Sequence, residues 1–334
     1  MVGTVGIVGL GLIGGSLARR LVSRGVTVVA WNHRPHPYDE AEADGIRCKS
    51  TLTELMNAHP DVLILCNPLK AMPAILRELH PLLADHPDTT LTDVGSVKGM
   101  VRDQVIAAGL SAWYVGAHPM AGNELSGWQA ADPHLYDDAL WAVTVDETTA
   151  YRRFFAVASL IVEGVGNRII VLDDETHDKA AAMISHMPHV VSTALINELT
   201  SNPDRNVAAA LAAGSWRDMT RVALTDPDRT RAMVEEDALN VEVLLRRMAA
   251  RLNAVADQLH TGNQVALSEF FAAGDPFRRY KAAMKSGDEF IKQELEIPEA
   301  GWQQTLLFSA RRGENIVGFI NPRQAVVQRR PSVQ

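Results

Sequence analysis

The sequence predicts the α/β fold class, with an N-terminal doubly wound parallel sheet followed by an all-helical domain and a short mixed C-terminal extension. In the first half of the chain, short β-branched strand patterns alternate with helical patterns, as in sheets that are covered by helices. From Asp174 onward the strand patterns nearly stop and helical patterns take over. We therefore place the domains at residues 1–172, 173–285 and 286–334.

Length, charge and cysteine content narrow the class of protein. The 334 residues, 47% of them hydrophobic, are enough for two domains with cores of their own. The net charge of −8 argues against a nucleic-acid partner. Two cysteines supply neither a disulfide framework nor a metal cluster, and they fit a reducing compartment. No signal peptide or membrane-spanning run is visible, so we expect a cytoplasmic protein without a membrane partner.

A glycine-rich turn near the start of the chain predicts a dinucleotide site. The stretch TVGIVGLGLIGGS joins a β-branched strand pattern to a helical pattern through the spacing G-x-G-x-x-G. In this arrangement Gly9 permits the tight turn, Gly11 lets the backbone approach a pyrophosphate, and Gly14 packs helix against strand. The pyrophosphate would meet the backbone N–H groups around Leu12 and Ile13, at the positive end of the helix.

The end of the second predicted strand, residues 26–31, favours NADP over NAD. NAD sites place an acidic residue about twenty positions beyond the glycines, where this chain has Asn32, His33 and Arg34. Asn32 can hydrogen-bond a 2′-phosphate, and Arg34 can pair with its charge. The alternative is that Arg34 is a solvated loop cation. Asn67, at the end of another predicted strand, is a further candidate for the cofactor site.

Two later strand patterns run into polar loops. Residues 90–94 lead to Ser96, and residues 114–117 lead to His118. Ligands of open α/β sheets bind at the carboxyl ends of the strands, so both side chains are candidates for the site. Taken alone, Ser96 can equally be a helix N-cap and His118 a structural histidine.

The helical half contains a cluster of histidines. Residues 175–200 form one long helical pattern interrupted by Pro188, which predicts a kink. Ser185 and His189 are four positions apart and share a face, whereas His186 points about a quarter-turn away. Without other information, a buried histidine pair is most simply explained as part of the core.

An arginine-containing helix and a long apolar helix follow. Residues 214–223 place Arg217, Asp218 and Arg221 on one short helix. These side chains form either a surface ion-pair ladder or a guanidinium clamp for a substrate carboxylate. Residues 232–259 predict a long helix whose two-sided hydrophobicity indicates burial against another subunit.

The rest of the chain is predicted as one or two helices and a mixed tail. Residues 265–284 read as a single helix or as a pair broken at a proline. In the tail, residues 305–309 and 316–320 predict a β-pair that turns at residues 312–315. We find no strand-helix-strand pattern typical of a regulatory ACT domain in this tail, and its arginine-rich end reads as frayed.

Five motifs stand in order along the chain: GLGLIGGS from Gly9, DVGSVK from Asp93, GAHPMAGNELSG from Gly116, HDKAAAMISHMPH from His177 and GSWRDMTRVA from Gly214. Their order and spacing resemble the prephenate/arogenate dehydrogenase family of tyrosine biosynthesis over roughly residues 3–285. The combination of HPMAG with SHMPH is the most specific part of this resemblance.

The resemblance implies a Rossmann-type domain followed by a helical domain that forms an intertwined homodimer. It implies oxidative decarboxylation of prephenate to 4-hydroxyphenylpyruvate with reduction of NAD or NADP, or of arogenate to tyrosine. His118 would be the catalytic histidine, and Ser96 its hydrogen-bonding partner beside the nicotinamide. Ser185, His189 and Arg221 would contact the substrate, Arg221 through a carboxylate. The supporting groups would be His177, His186, Arg217 and Asp218, with His186 and Arg217 at the substrate site.

The sequence departs from the family pattern at two positions and leaves alternatives open. Asn123 stands where many members have Thr, and Asn32 where an acidic residue is frequent. Because His189 is not acidic, prephenate is favoured over arogenate, whose ammonium group an acidic side chain would bind. A β-hydroxyacid dehydrogenase would need a catalytic lysine on the first interdomain helix, where only Lys179 lies nearby. A non-enzymatic NADP sensor is the remaining alternative.

Overall fold

The computed structural model describes residues 2–286, 291–329 and 333. The described chain forms two compact units. The first contains the chain up to His177 together with Lys292–Gln328, and the second is built from Asp178–Ile291. The chain therefore returns to the first unit after the helical unit.

The first unit begins with a five-stranded sheet in which all neighbouring strands are parallel. Its strands are β1 (Thr4–Val8), β2 (Thr27–Trp31), β3 (Arg47–Cys48), β4 (Val62–Leu65) and β5 (Thr90–Asp93). They lie in the order β3-β2-β1-β4-β5, so the chain winds outwards from β1 in both directions. Ile7 lies between Ala30 and Ile64 and is fully buried, as expected for a strand covered on both faces. The predicted doubly wound sheet is confirmed.

Helices connect these strands and cover the sheet. They are α1 (Leu12–Ser23), α2 (Tyr38–Ala43), α3 (Leu52–Met56), α4 (Met72–Asp85) and α5 (Lys98–Ala107). The apolar face of α1 is buried through Leu17, Ala18 and Leu21, which is the three- and four-residue spacing of an amphipathic helix.

A second sheet continues the first unit. It contains β6 (Gly116–Pro119), β7 (Leu140–Thr144) and β8 (Arg168–Leu172), with α6 (Tyr151–Ser159) between β7 and β8. β6 pairs antiparallel with β7, and β7 pairs parallel with β8. Just before β6, Tyr114 forms a parallel bridge with Leu91 of β5, which links the two sheets.

The second unit is helical, as the sequence predicts. Helix α7 (Asp174–Ala181) leads into it and is followed by α8 (Met187–Ser201), α9 (Arg205–Leu211), α10 (Gly214–Thr220), α11 (Pro227–Glu236), α12 (Ala238–Thr261), α13 (Gln264–Ala272) and α14 (Asp275–Ser286). None of the helices in the described parts of the chain combines the length and apolar character that a bilayer crossing requires.

Two predicted helix boundaries change in the structure, and one open alternative is decided. The break expected at Pro188 is a π-helical segment, Ala182–His186, which precedes it and leaves the proline in the first turn of α8. The single helix predicted over residues 232–259 is wrong, because the chain breaks at Asp237 between α11 and α12. The region 265–284 is a helix pair, one of the two arrangements that the sequence allows.

The tail corrects two expectations. It forms β9 (Ile291–Glu296), α15 (Trp302–Arg311), β10 (Glu314–Asn321) and β11 (Gln324–Arg329). The β-pair predicted from residues 305–309 is wrong, because these residues are helical and bury Trp302, Leu306 and Ala310 at helical spacing. The tail therefore does contain a strand-helix-strand pattern. Residues 330–332, in the end predicted to be frayed, lie outside the described residues.

The tail strands complete the second sheet of the first unit. The strand order is β6-β7-β8-β10-β11-β9, and Ile316 of β10 stands opposite Ile169 of β8 in an antiparallel pair. The predicted mixed extension is thus confirmed as secondary structure, and it extends a sheet whose first strand begins at Gly116.

Candidate active site

The glycine loop between β1 and α1 has the shape that a pyrophosphate requires. Gly9 has φ +105, a conformation that residues with a Cβ rarely adopt. A Cβ on Gly14 would stand 2.0 Å from the carbonyl oxygen of Gly9, so this position allows glycine alone. A Cβ on Gly11 would meet nothing within 4 Å, which leaves open space beside the backbone for a ligand. The three mechanical roles predicted for these glycines match this geometry.

The amino end of α1 is prepared for an anion. Its N-cap residue is Gly11, which has no side chain to cap the first N–H groups, and these include the groups around Leu12 and Ile13. Unpaired N–H groups at a helix start carry partial positive charge and bind phosphate. The residues therefore fit a dinucleotide, whose pyrophosphate would lie over this turn.

Asn32 has a different role from the predicted phosphate contact. Its Oδ1 accepts a hydrogen bond from the backbone N–H of Leu10 at 2.8 Å, and its Nδ2 donates to the carbonyl of Arg34 at 2.8 Å. The amide thus ties the glycine loop to the end of β2. The side chains of His33 and Arg34 are exposed, with the His33 ring edge-on to Trp31. Of the three candidates Asn32, His33 and Arg34, Arg34 is the exposed, permanently charged side chain that can pair with a 2′-phosphate.

Asn67 follows β4, whose carboxyl end adjoins that of β1. Its Nδ2 donates to the carbonyl of Pro68 at 3.0 Å. Its Oδ1 is buried and has no hydrogen-bond partner among the described residues. Buried acceptors are seldom left unpaired, but an atom with almost no accessible surface offers no contact to a ligand, so Asn67 stays a sequence-based candidate for the cofactor site.

Ser96 and His118 extend from neighbouring segments of the chain. Ser96 follows β5 by three residues, and His118 lies in β6, which continues from the bridge between Leu91 and Tyr114. Ser96 is half-buried and is not a helix N-cap, because Val97 holds that position and makes no side-chain capping bond. The N-cap alternative is therefore excluded.

A buried ion pair joins these two segments. Lys98 donates from Nζ to Asp93, and both side chains have no exposed surface. The same Nζ donates to the carbonyl of Ala117 at 2.9 Å, while Asp93 Oδ1 accepts from the N–H of Ala117 at 3.3 Å. The residue before His118 is thus held on both backbone groups. Tyr114 also donates to Asp93, at 2.8 Å, and burial followed by the charge of Asp93 raises the pKa of this phenol well above 10.

His118 is paired with a second imidazole. Its Nδ1 lies 2.9 Å from Nε2 of His177, and the two rings meet edge to face at 71°. His177 is 2% exposed, whereas His118 is half-buried. Helix α7, which carries His177, begins at Asp174, and this carboxylate pairs with Arg102 of α5. His118 therefore has a second imidazole beside it at the strand ends.

In the second unit, the π-helical segment sets the direction of the histidines. His189 donates from Nδ1 to the backbone carbonyl of Ser185 at 2.9 Å, and both residues are half-buried. They share a face, as the sequence predicts. His186 is fully buried and donates a hydrogen bond from Nδ1 to Oδ2 of Asp237 at 2.8 Å. The position of His186 is that of a support between α8 and the break at Asp237, so any effect on a substrate would be indirect.

Arg217 and Arg221 are exposed and lie close together in the chain, but the predicted single helix ends between them. Arg217 is in α10, while Arg221 begins a 3-10 turn that packs against α8. Ser192 of α8 donates to the carbonyl of Met219 at 2.9 Å and fixes this junction. Among the ion pairs of the described residues, neither Arg217 nor Arg221 pairs with Asp218 or with another carboxylate. This argues against the surface ion-pair ladder that the sequence left open.

Within each unit, the sequence did not predict the residues that hydrogen-bond to the candidate side chains or fix their segments. These are Asp93, Lys98, Arg102, Tyr114 and Asp237. Asp93 and Lys98 are the first and last residues of the motif DVGSVK. A charged residue at the end of a buried strand could have indicated that Asp93 needs a buried partner. Asp237 gave no local sign, since its partner lies far away in the chain.

The glycine loop and the imidazole pair at the strand ends define the class of protein as a nucleotide-binding dehydrogenase. Two family models match the chain: prephenate dehydrogenase, nucleotide-binding domain, over residues 17–171, and prephenate dehydrogenase, dimerization domain, over residues 173–273. The chain belongs to the prephenate dehydrogenase family.

Individual relatives agree with this assignment. The prephenate dehydrogenase of Lactococcus lactis is 27% identical over 82% of this chain and 76% of the relative. The cyclohexadienyl dehydrogenase of Zymomonas mobilis is 31% identical over 70% of this chain and 80% of the relative. Prephenate dehydrogenase from Aquifex aeolicus, solved with hydroxyphenyl propionate and NAD+, superposes with a TM-score of 0.75 at 28% identity and covers 84% of this chain and 98% of that one. Synechocystis arogenate dehydrogenase gives a TM-score of 0.71 at 27% identity, covering 83% and 99%.

Proposed function

We propose that the chain catalyses the oxidative decarboxylation of prephenate to 4-hydroxyphenylpyruvate with reduction of NADP, in tyrosine biosynthesis. The observation that carries the proposal is that one unit holds both a glycine loop shaped for a pyrophosphate and the His118–His177 pair. Both features stand at strand ends of an open α/β unit, where such folds bind their ligands. The relatives named prephenate dehydrogenase support this substrate class.

The reaction requires the protein to move one proton and to hold the side-chain carboxylate of the substrate. Prephenate carries a hydroxyl on C4 of its ring and, across the ring, a carboxylate that leaves as CO2. A bound nicotinamide accepts the hydride from C4. A neutral His118 accepts the hydrogen bond of the hydroxyl and draws its proton, which raises electron density at C4 as the hydride leaves. Loss of CO2 then makes the ring aromatic, and Ser96 keeps the hydroxyl and the imidazole aligned.

Arg221 is proposed to bind the side-chain carboxylate of the substrate, with Ser185, His189 and Arg217 nearby. Gripping the departing carboxylate instead would stabilise the ground state and slow the reaction. We expect Arg221→Ala to raise KM by about 10- to 100-fold with little change in kcat, because a hydrogen bond to a charged group contributes about 1.5–3 kcal/mol. Steady-state kinetics measure both constants.

The matched control for this variant is Arg205→Ala, which removes another exposed arginine of the helical unit. It should leave KM unchanged. A kcat that falls as much as KM rises in Arg221→Ala would contradict the carboxylate role and place this guanidinium in the transition state.

NADP is proposed as the cofactor because Arg34 supplies an exposed cation where NAD sites have a carboxylate. We expect Arg34→Ala to raise KM for NADP about tenfold or more and to leave KM for NAD unchanged. Initial rates with each cofactor measure the effect, and Arg77→Ala on α4 is the exposed-arginine control. A wild-type preference for NAD would contradict the proposal.

A homodimer is proposed through the helical unit. Helix α12 exposes Leu239 (81%), Val243, Leu252 and Leu259 (64%) in the single chain. Large apolar side chains in such number mark a protein interface. The description of the matching family model as a dimerization domain supports this arrangement.

Arogenate is the second candidate substrate, and one hydrogen bond of His189 is the observation in its support. Because Nδ1 of this ring donates to the carbonyl of Ser185, Nε2 of the neutral ring is an acceptor. An acceptor suits the ammonium of arogenate, which donates, better than the keto group of prephenate.

A matrix of two substrates and two cofactors tests the proposed function. Purified protein is mixed with prephenate or arogenate and with NAD or NADP, and the absorbance of reduced nicotinamide is followed. We expect the fastest reduction with prephenate and NADP. Faster reduction with arogenate would select the second candidate. No reduction in any combination would reject both and favour a β-hydroxyacid dehydrogenase or a non-enzymatic sensor.

A further inference from the structure

We propose that His177 is a positioning residue that holds His118 in the neutral tautomer whose Nε2 acts as the base. The inference deepens the proposed function and rests on it for its effect on turnover. The tautomer itself is a property of the folded protein and does not depend on which substrate is turned over. The resemblance makes His177 a supporting group without saying what it supports. The distance between the two rings indicates that it orients His118.

The contact between the rings leaves two possibilities for the proton. Nδ1 of His118 and Nε2 of His177 stand 2.9 Å apart, which is hydrogen-bonding distance, and such a bond holds one proton. If His118 donates, its Nε2 has a lone pair and can accept the proton of the substrate hydroxyl. If His177 donates, the proton of neutral His118 is on Nε2, and that nitrogen cannot act as a base. Only the first arrangement agrees with catalysis by His118.

His177 is built into rigid structure, as a positioning residue should be. It lies in the first turns of α7, where Asp173 accepts hydrogen bonds from the backbone N–H of Thr176 at 2.7 Å and from its hydroxyl at 2.8 Å. The ion pair of Asp174 with Arg102 fixes the same turn to α5. His177 is 2% exposed, so water does not compete for its ring.

His118 is equally constrained from the other side. It stands opposite Ala142 in the antiparallel pairing of β6 and β7. The preceding residue, Ala117, is bonded to Asp93 and Lys98 through its backbone. Two rings on separate rigid elements therefore meet at a set distance and angle, which is the relation between a base and the group that orients it.

Two substitutions separate orientation from simple packing. His177→Leu fills much of the space but offers no acceptor, so His118 would populate both tautomers. His177→Gln places an amide oxygen near the position of Nε2 and can still accept from Nδ1. We expect kcat to fall about 100-fold in the leucine variant, the lower end of a general-base contribution. We expect it to stay within a few-fold of wild type in the glutamine variant, with KM unchanged in both.

Nitrogen NMR of histidine-labelled protein at alkaline pH reads the tautomer directly. The His118 signals are those that disappear in His118→Asn. We expect wild type and His177→Gln to show Nδ1 protonated and Nε2 unprotonated, and His177→Leu to show averaged values for both nitrogens. The control His134→Leu removes an exposed histidine of the same unit, so it should lose only its own signals and leave the His118 signals and kcat unchanged.

The outcomes distinguish this proposal from the proposed function. A wild-type His118 protonated on Nε2 would overturn the role of His177, even if the leucine variant failed to fold. An unchanged tautomer in a folded leucine variant would overturn it as well. Wild-type protein with the expected tautomer but no turnover of prephenate or arogenate would instead reject the proposed function and leave the tautomer assignment standing.

Discussion

Replacing His118 by asparagine is expected to lower kcat by about 10²- to 10⁴-fold with a modest change in KM. Asparagine can still hydrogen-bond the ring hydroxyl of the substrate, but it cannot take up its proton. The loss therefore falls on the chemical step and spares binding. Steady-state kinetics of the variant with prephenate measure the effect, and thermal unfolding checks that the fold is retained.

A matched control and a pH series sharpen this test. His134→Asn alters an exposed histidine of the same unit and should behave as wild type. Wild-type activity should fall at low pH, because a protonated imidazole cannot accept a proton and an ordinary imidazole titrates near pH 6.5. Near-normal turnover in His118→Asn, or a flat profile from about pH 5 to 8, would remove the general base from the mechanism.

Replacing Lys98 by methionine is expected to lower the free energy of unfolding by about 3–5 kcal/mol. The side chains of Lys98 and Asp93 have no exposed surface, so the variant leaves a carboxylate buried without its cation. Methionine has a similar length and keeps the packing of the aliphatic stem, which isolates the charge as the cause. Denaturant unfolding measures the change, with Lys70→Met as the exposed control.

The double variant Asp93→Asn with Lys98→Met tests whether the unpaired buried carboxylate causes the loss of stability. Removing both charges should recover part of the lost stability, since no unpaired charge remains in the interior. If the free energy of unfolding of Lys98→Met fell by less than about 1 kcal/mol, the pair would behave as a surface salt bridge. It would then not fix the strand that carries His118.

Local chemistry explains what the sequence predicts well. The glycine loop, the strand ends at Ser96 and His118, and the shared face of Ser185 and His189 depend on residues within one or two turns of chain. Conformational demands such as the close approach at Gly14 are written into the local sequence. The candidate residues of the site could therefore be named before their geometry was known.

The features that the sequence does not predict depend on distant partners. Residues 305–309 are apolar and short, and such a run fits a strand or a buried helix until the packing of Trp302 and Leu306 decides for the helix. The amide of Asn32 is polar and near the cofactor position, but its bonds go to the backbone of Leu10 and Arg34. Lys98 is buried because it pairs with Asp93, which also accepts a hydrogen bond from Tyr114. No sequence spacing predicts this arrangement.

The return of the tail to the first unit has a consequence for biosynthesis. β8 receives its second neighbour, β10, only after the whole helical unit has been made. During synthesis, the edge of β8 keeps unpaired backbone groups until β10 has been made. Unpaired strand edges can pair with other chains. The contacts that close this sheet are also far apart in sequence, which slows folding. The segment that completes the sheet of the first unit is thus synthesised after the whole helical unit.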